Sequence, residues 1–173
     1  MINAAPKFLS KVSMIIRAPA LLSLFLILCS CVNDDPARAR ATWMGVYTLK
    51  SSGNNELISE WHKIKRTKKI PRTLGTRFGV EYKLDGSPLK PLIRYRLVWR
   101  YPPNGQINPT THLKSAYYEH DDFCINGAIC RAGYRFDHEW EMVPGTWYAE
   151  IWIDDKRVLQ KAFEVQDNLP QER

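Results

Sequence analysis

From Arg77 onward the chain alternates apolar and polar residues with a period of two, the repeat of a strand that buries one face. Arg77 to Leu84 places Phe78, Val80, Tyr82 and Leu84 on one face and charges with Gly79 on the other, then stops at Asp85-Gly86-Ser87-Pro88. Ile93, Tyr95, Leu97 and Trp99 repeat this against Arg94, Arg96 and Arg100, and Pro102-Pro103-Asn104-Gly105 ends the row. Tyr134, Phe136, His138, Trp140 and Met142 alternate with Arg135, Asp137, Glu139 and Glu141 up to Pro144-Gly145. Trp147, Ala149, Ile151 and Ile153 follow, and Asp154-Asp155 makes a hairpin turn into a last strand with Leu159, Phe163 and Val165 inward. Trp43 to Leu49 and Ile58 to Ile64 predict two earlier strands. The pattern predicts an all-β fold, an immunoglobulin-like antiparallel β-sandwich of seven or eight strands, with a small closed barrel as the alternative.

The N-terminal 30 residues break this pattern. Lys7, Lys11 and Arg17 occur without any acid, and Ala18 to Leu28 is almost wholly apolar, the charged and hydrophobic regions of an export signal. That apolar run is too short to span a bilayer, for which a helix needs about 20 residues. Leu28-Cys29-Ser30-Cys31 resembles the lipobox of bacterial lipoproteins, with the less common Cys29 at the intervening position. The resemblance implies that residues 1–30 are a signal peptide and that Cys31 is the lipidated first residue of the mature chain. Several acyl chains at about 0.8 kcal/mol per buried CH₂ make such an anchor stable. Because Val32 rather than an aspartate follows, outer-membrane sorting is expected, with the protein facing the periplasm. Residues 31–41 read as a lipidated polar tether, 42–166 as the β domain and 167–173 as a C-terminal tail.

Three of the 25 Lys and Arg leave with that leader, so the +7 of the full chain becomes +4, a weak argument for any anionic partner. Export also argues against nucleic acid, despite the basic run Lys63, Lys65, Arg66, Lys68, Lys69, Arg72 and Arg77. That run reads as a solvated strand edge whose charges discourage edge-to-edge pairing, or as a contact for an anionic envelope component. Of the four cysteines, Cys124 and Cys130 remain once Cys29 and Cys31 are assigned, and in an oxidising compartment they are expected to form a disulfide. They frame Asn126-Gly127, the signature of a tight hairpin tip, and closing so short a loop contributes about 2 kcal/mol. A hairpin centred on Gly127 sets Glu119 opposite Arg135 and Tyr118 opposite Phe136.

Pro71-Arg72-Thr73-Leu74-Gly75-Thr76-Arg77-Phe78-Gly79, Tyr101-Pro102-Pro103 with Asn108-Pro109, and Tyr134-Arg135-Phe136-Asp137-His138-Glu139-Trp140-Glu141 running into Val143-Pro144-Gly145-Thr146-Trp147 form a specific succession. Together they resemble the bacterial family known as domain of unknown function 3859, short exported proteins, over nearly the whole mature domain. The resemblance supports the fold and implies no catalytic residue.

Arg94, Arg96 and Arg100 form a cationic ladder, and Asp137, Glu139 and Glu141 an anionic one, which a sandwich can pair across one sheet. Left unpaired, they make a charged face for a partner. Glu119-His120-Asp121-Asp122 and Asp137-His138-Glu139 carry metal-capable side chains but no recognised ligand spacing, so neither a metal nor a cofactor is expected. No nucleophile elbow, phosphate loop or dinucleotide fingerprint occurs, and no catalytic residue is assigned. The reading is a non-enzymatic module, tied to a membrane by lipid, that binds a protein or envelope component. Candidate contacts are Arg94, Arg96, Arg100, Asn104 in the Pro102 to Pro109 loop, Asn126 at the tip, Asp137 and Glu139. The alternatives are an immunity or inhibitor lipoprotein against a periplasmic hydrolase and, less favoured, a glycan or cell-wall hydrolase using carboxylates near Asp137.

Overall fold

The structure, a computed structural model, describes residues 37–52 and 55–167. The expected signal peptide, residues 1–30, and the expected lipidation site Cys31 lie outside the described residues. The strands are β1 (Arg38–Ser52), β2 (Asn55–Arg66), β3 (Lys69–Pro71), β4 (Arg77–Asp85), β5 (Leu92–Arg100), β6 (Gln106–Ile107), β7 (Lys114–Ser115), β8 (Tyr117–Ile125), β9 (Ile129–Arg135), β10 (Gly145–Ile153) and β11 (Lys156–Gln166). They build a four-stranded sheet in the order β2-β1-β4-β9, a five-stranded sheet in the order β3-β11-β10-β5-β8, and a β6-β7 pair. The two main sheets remain separate, so the fold is a sandwich and not a closed barrel.

The alternating rows supply the core. Phe78, Val80, Tyr82 and Leu84 meet Tyr95, Leu97, Trp99, Trp147, Ile151 and Phe163 across the gap, and all are buried. Phe78 sits at the middle, with ring centroids 5.4 Å from Trp99, 5.2 Å from Phe136 and 5.3 Å from Phe163. Edge-to-face and tilted packing of this kind adds to the area effect through ring quadrupoles. Asp154 and Asp155, at φ 48° and 58°, make the expected tight turn from β10 into β11, since Asp tolerates the left-handed region better than most residues.

Four sequence expectations are corrected. β8 and β9 are not a hairpin: β8 pairs with β5 and β9 with β4, in different sheets, so Glu119 does not face Arg135 and Tyr118 does not face Phe136. Asn126 N–H donates to Pro91 O and Gly127 N–H to Leu84 O, so the turn hands its two sides to different sheets. Gly127 still takes the positive φ that Asn-Gly signalled, at 74°, and a sheet-switching arch needs that as much as a hairpin does. Second, the row from Phe136 to Met142 is not a strand. β9 stops at Arg135, and the Glu141 carboxylate accepts the backbone N–H of Asp137 at 2.7 Å and of His138 at 3.1 Å, winding Glu139–Glu141 into a 3₁₀ turn. Third, β1 begins at Arg38, inside the stretch read as tether, with Arg38 opposite Asp85. Fourth, not every strand is antiparallel: β3 pairs parallel to β11.

Strand direction fixes two poles. The N-terminal pole gathers the start of β1, the 86–91 loop, the Asn126-Gly127 arch and the Asp154-Asp155 turn. The far pole gathers Arg77, Arg100, the β6-β7 flap and the 3₁₀ turn.

Candidate functional site

The far pole carries two grooves. One of ≈ 480 Å³ lies between the β6-β7 flap, the first residues of β8, the end of β9 and the 3₁₀ turn. Its floor is a neutral polar network. Gln106, buried although polar, donates from Nε2 to the Tyr134 hydroxyl and to the Glu141 carbonyl, each at 3.0 Å. The flap is thereby locked to the 3₁₀ turn. Burial pushes both the Tyr101 and Tyr134 hydroxyls up, so these phenols remain protonated across the physiological range. The walls are apolar and accessible: Tyr117, Tyr118 and Leu113 are exposed, and Trp140 stacks on His138 with centroids 5.7 Å apart at 10°. Arg135 and Asp137 close the rim as an ion pair at 2.9 Å. The second groove, ≈ 700 Å³, holds Asn104 with Pro102, Pro103 and Tyr148.

The Arg94, Arg96 and Arg100 ladder meets different acids from those expected, because β9 belongs to the other sheet. Arg94 pairs with Asp121 at 2.6 Å, Arg96 with Asp155 at 3.3 Å and more loosely with Glu119 at 3.9 Å, and Arg100 with Glu150 at 3.3 Å. Glu150 is a hub that sequence reasoning missed. It is 0% exposed and also receives Arg157 at 3.0 Å, Trp152 Nε1 at 3.0 Å and Gln160 at 2.9 Å. Arg96 and Arg157 lie over the Trp152 ring at 5.9 Å and 5.8 Å. Burial alone would raise the Glu150 carboxyl, but the hydrogen bonds from Arg100, Trp152 and Gln160 and the Arg100 charge outweigh it and hold it below the usual range.

The other sheet repeats the scheme. Buried Glu81 is clamped by Lys63 at 2.6 Å and Arg131 at 3.1 Å, and Trp61 stacks on Tyr47 at 3.7 Å above the paired glycines Gly79 and Gly133. Burial would raise Glu81 too, and its two cations bring it lower. In sequence Glu81 and Glu150 stand at outward positions of strand rows, where nothing separates a covered carboxylate from a solvated one.

The remaining candidates are dispersed. Asn126 is committed to the N-terminal pole, accepting from Gly86 N–H at 3.1 Å and donating to the Ser87 and Lys90 carbonyls at 2.9 Å and 3.2 Å. Asn104 and Glu139 are exposed at the far pole, and Asp137 is held by Arg135. The Cys124–Cys130 disulfide is formed, with Cα atoms 6.0 Å apart, and joins the edge strands of opposite sheets. The basic run is divided: Lys63 and Arg66 lie on edge strand β2, while Arg72 bonds to the Met142 carbonyl and Asp167 at the far pole. Among the described residues no three His, Cys, Asp or Glu cluster as metal ligands, and no helix is long and apolar enough to cross a membrane.

The arrangement is similar to that of a solved immunoglobulin-like protein from Pseudomonas aeruginosa, with a TM-score of 0.58 and 25% identity over 78% of this chain and 99% of that one. No curated protein matches the chain in sequence. An immunoglobulin-like fold of unassigned function is consistent with a non-enzymatic module. The sandwich described here, from the second residue of β1 almost to the end of β11, is the span 39–165 matched by the family described as Domain of unknown function (DUF3859), and the chain belongs to that family.

Proposed function

We propose that the protein is a lipid-anchored module of the bacterial envelope, outer-membrane-bound through Cys31 and facing the periplasm, that binds a protein partner in the far-pole groove without catalysing a reaction. The single observation that carries the binding site is the groove itself: exposed Tyr117, Tyr118 and Leu113 stand around a floor locked by buried Gln106. Aromatic side chains on a rigid frame lose little entropy on association, and binding hot spots are enriched in such residues. Arg135 and Asp137 supply polar orientation at the rim. The anchor rests on the export signal and the lipobox-like Leu28 to Cys31.

The test is partner capture from envelopes solubilised in mild detergent, comparing the natural chain with Tyr118→Ala combined with Trp140→Ala, and with Lys156→Ala as a distant control. The proposal expects the captured species to fall at least about tenfold, about 1.4 kcal/mol, in the double variant alone, at an unchanged melting temperature. Equal capture by all three proteins overturns it.

A second reading, an inhibitor of a periplasmic hydrolase, is favoured by the flap. Exposed Ile107 and Leu113 project there on a turn stiffened by Asn108, whose side chain accepts the N–H of Thr110 at 2.9 Å and of Thr111 at 3.1 Å. A gene for a secreted toxin beside this one would favour that reading.

A further inference from the structure

Five large apolar side chains ring the N-terminal pole, and each is more than half exposed: Leu89, Leu92, Phe123, Ile125 and Ile129. Leu92 faces Ile125 directly, and Phe123 faces Arg94 one step along, so these three share the outer face of the five-stranded sheet. Ile129 starts β9 on the other sheet, and Leu89 sits in the 86–91 loop. The set is held rigid. The Cys124–Cys130 disulfide joins the two strands that bear Phe123, Ile125 and Ile129, and Asn126 bonds to Gly86, Ser87 and Lys90 on either side of Leu89. Scattered exposed leucines need no explanation, but a fixed apolar ring around one end of a domain does.

The chain itself points to what covers this ring. Its first described residue, Ala37, lies against Gly86 at this pole, its Cβ 3.7 Å from where a Cβ on Gly86 would stand. Cys31 is six residues upstream, a span of at most about 21 Å even fully extended. We infer that this pole docks on the lipid surface of the leaflet that holds the Cys31 acyl chains, with the five side chains set into its interfacial region; the inference rests on the lipid-anchored reading above. Arg38, Lys83, Lys90 and Lys156 stand at this pole with Asp85, Asp154 and Asp155, so its charge is mixed and the five apolar side chains supply the main attraction. Nine-residue strands then hold the partner groove ~30 Å from the leaflet, facing away from it.

The test uses the full acylated chain in lipid nanodiscs of phosphatidylethanolamine and phosphatidylglycerol doped with a nitroxide lipid, read by methyl NMR. Paramagnetic broadening of the Leu89, Leu92, Ile125 and Ile129 methyls is expected to exceed that of Leu74, Ile107 and Leu113 about fivefold or more, the latter lying at the far pole ~30 Å further out. Leu92→Ser combined with Ile125→Ser, both at exposed positions, is expected to abolish that gradient without altering the melting temperature. Equal broadening of the two sets in an acylated protein overturns docking and leaves the anchor standing. An intact mass without acyl groups on Cys31 overturns the anchor and docking together.

Discussion

Replacing Glu150 with Gln removes the charge on which four donors converge. Each carboxylate oxygen accepts two of them: Arg100 at 3.3 Å and Trp152 Nε1 at 3.0 Å on one, Arg157 at 3.0 Å and Gln160 at 2.9 Å on the other. An amide puts an NH₂ where one oxygen stood, so two donors lose their acceptor and the other two lose its charge. At about 1.5–3 kcal/mol per bond to an ionised group the gross loss is about 3–6 kcal/mol. Arg100 and Arg157 are 46% and 44% exposed and regain water, which brings the net loss to about 3 kcal/mol. For a domain of this size that lowers the melting temperature by about 10 °C. The effect has a pH signature. The folded carboxyl is held below its unfolded value of about 4.3, so its contribution is present above that pH and declines as pH falls through the folded value. Urea unfolding followed by tryptophan fluorescence is therefore expected to show a wild-type advantage of about 3 kcal/mol at pH 7 that shrinks below about pH 4. A difference under about 0.5 kcal/mol at pH 7 would mean that Glu150 behaves as an ordinary surface ion pair. A difference that does not change with pH would refute the linkage.

Removing the disulfide with Cys124→Ser and Cys130→Ser is expected to cost about 2 kcal/mol of unfolding free energy, measured by urea midpoint, while partner capture persists because the far-pole groove does not touch it. Gly79→Ala is expected to cost at least about 2 kcal/mol, since its Cβ would run into the Ala132 carbonyl and sit 2.6 Å from the Trp61 ring; calorimetry checks it, and a neutral outcome would mean that this sheet face yields freely. Arg96→Glu reverses a charge set between Glu119 and Asp155 and is expected to leave capture intact; loss of capture at an unchanged melting temperature would move recognition to the charged sheet face.

The core was legible in the sequence because period two is a geometric property of one strand. Phe78 to Leu84, Ile93 to Trp99 and Trp147 to Ile153 bury the residues that alternation selects. Pairing was less legible. Cys124 to Cys130 reads equally as a hairpin or as an arch between sheets, since both need a positive φ at Gly127, and only the partners across Leu92 and Lys83 decide. The row from Phe136 to Met142 kept the strand period but lost its ladder to a side chain, because Glu141 captures the N–H groups of Asp137 and His138. The charged ladders were visible, but their partners were not, since cross-strand neighbours follow sheet order. The groove went unseen for the same reason: Gln106 and Tyr134 are 28 positions apart, and neither is distinctive alone.

The module proposed above, anchored and non-catalytic, is expected to meet its partner at the far pole. Site-directed photocrosslinking in intact cells checks this, with benzoylphenylalanine placed in turn at Tyr118, Leu113, Trp152 and Lys156. One discrete, membrane-associated protein adduct is expected from Tyr118 and Leu113 and none from Trp152 or Lys156. The same adduct from all four positions, or one from Trp152 alone, would contradict it.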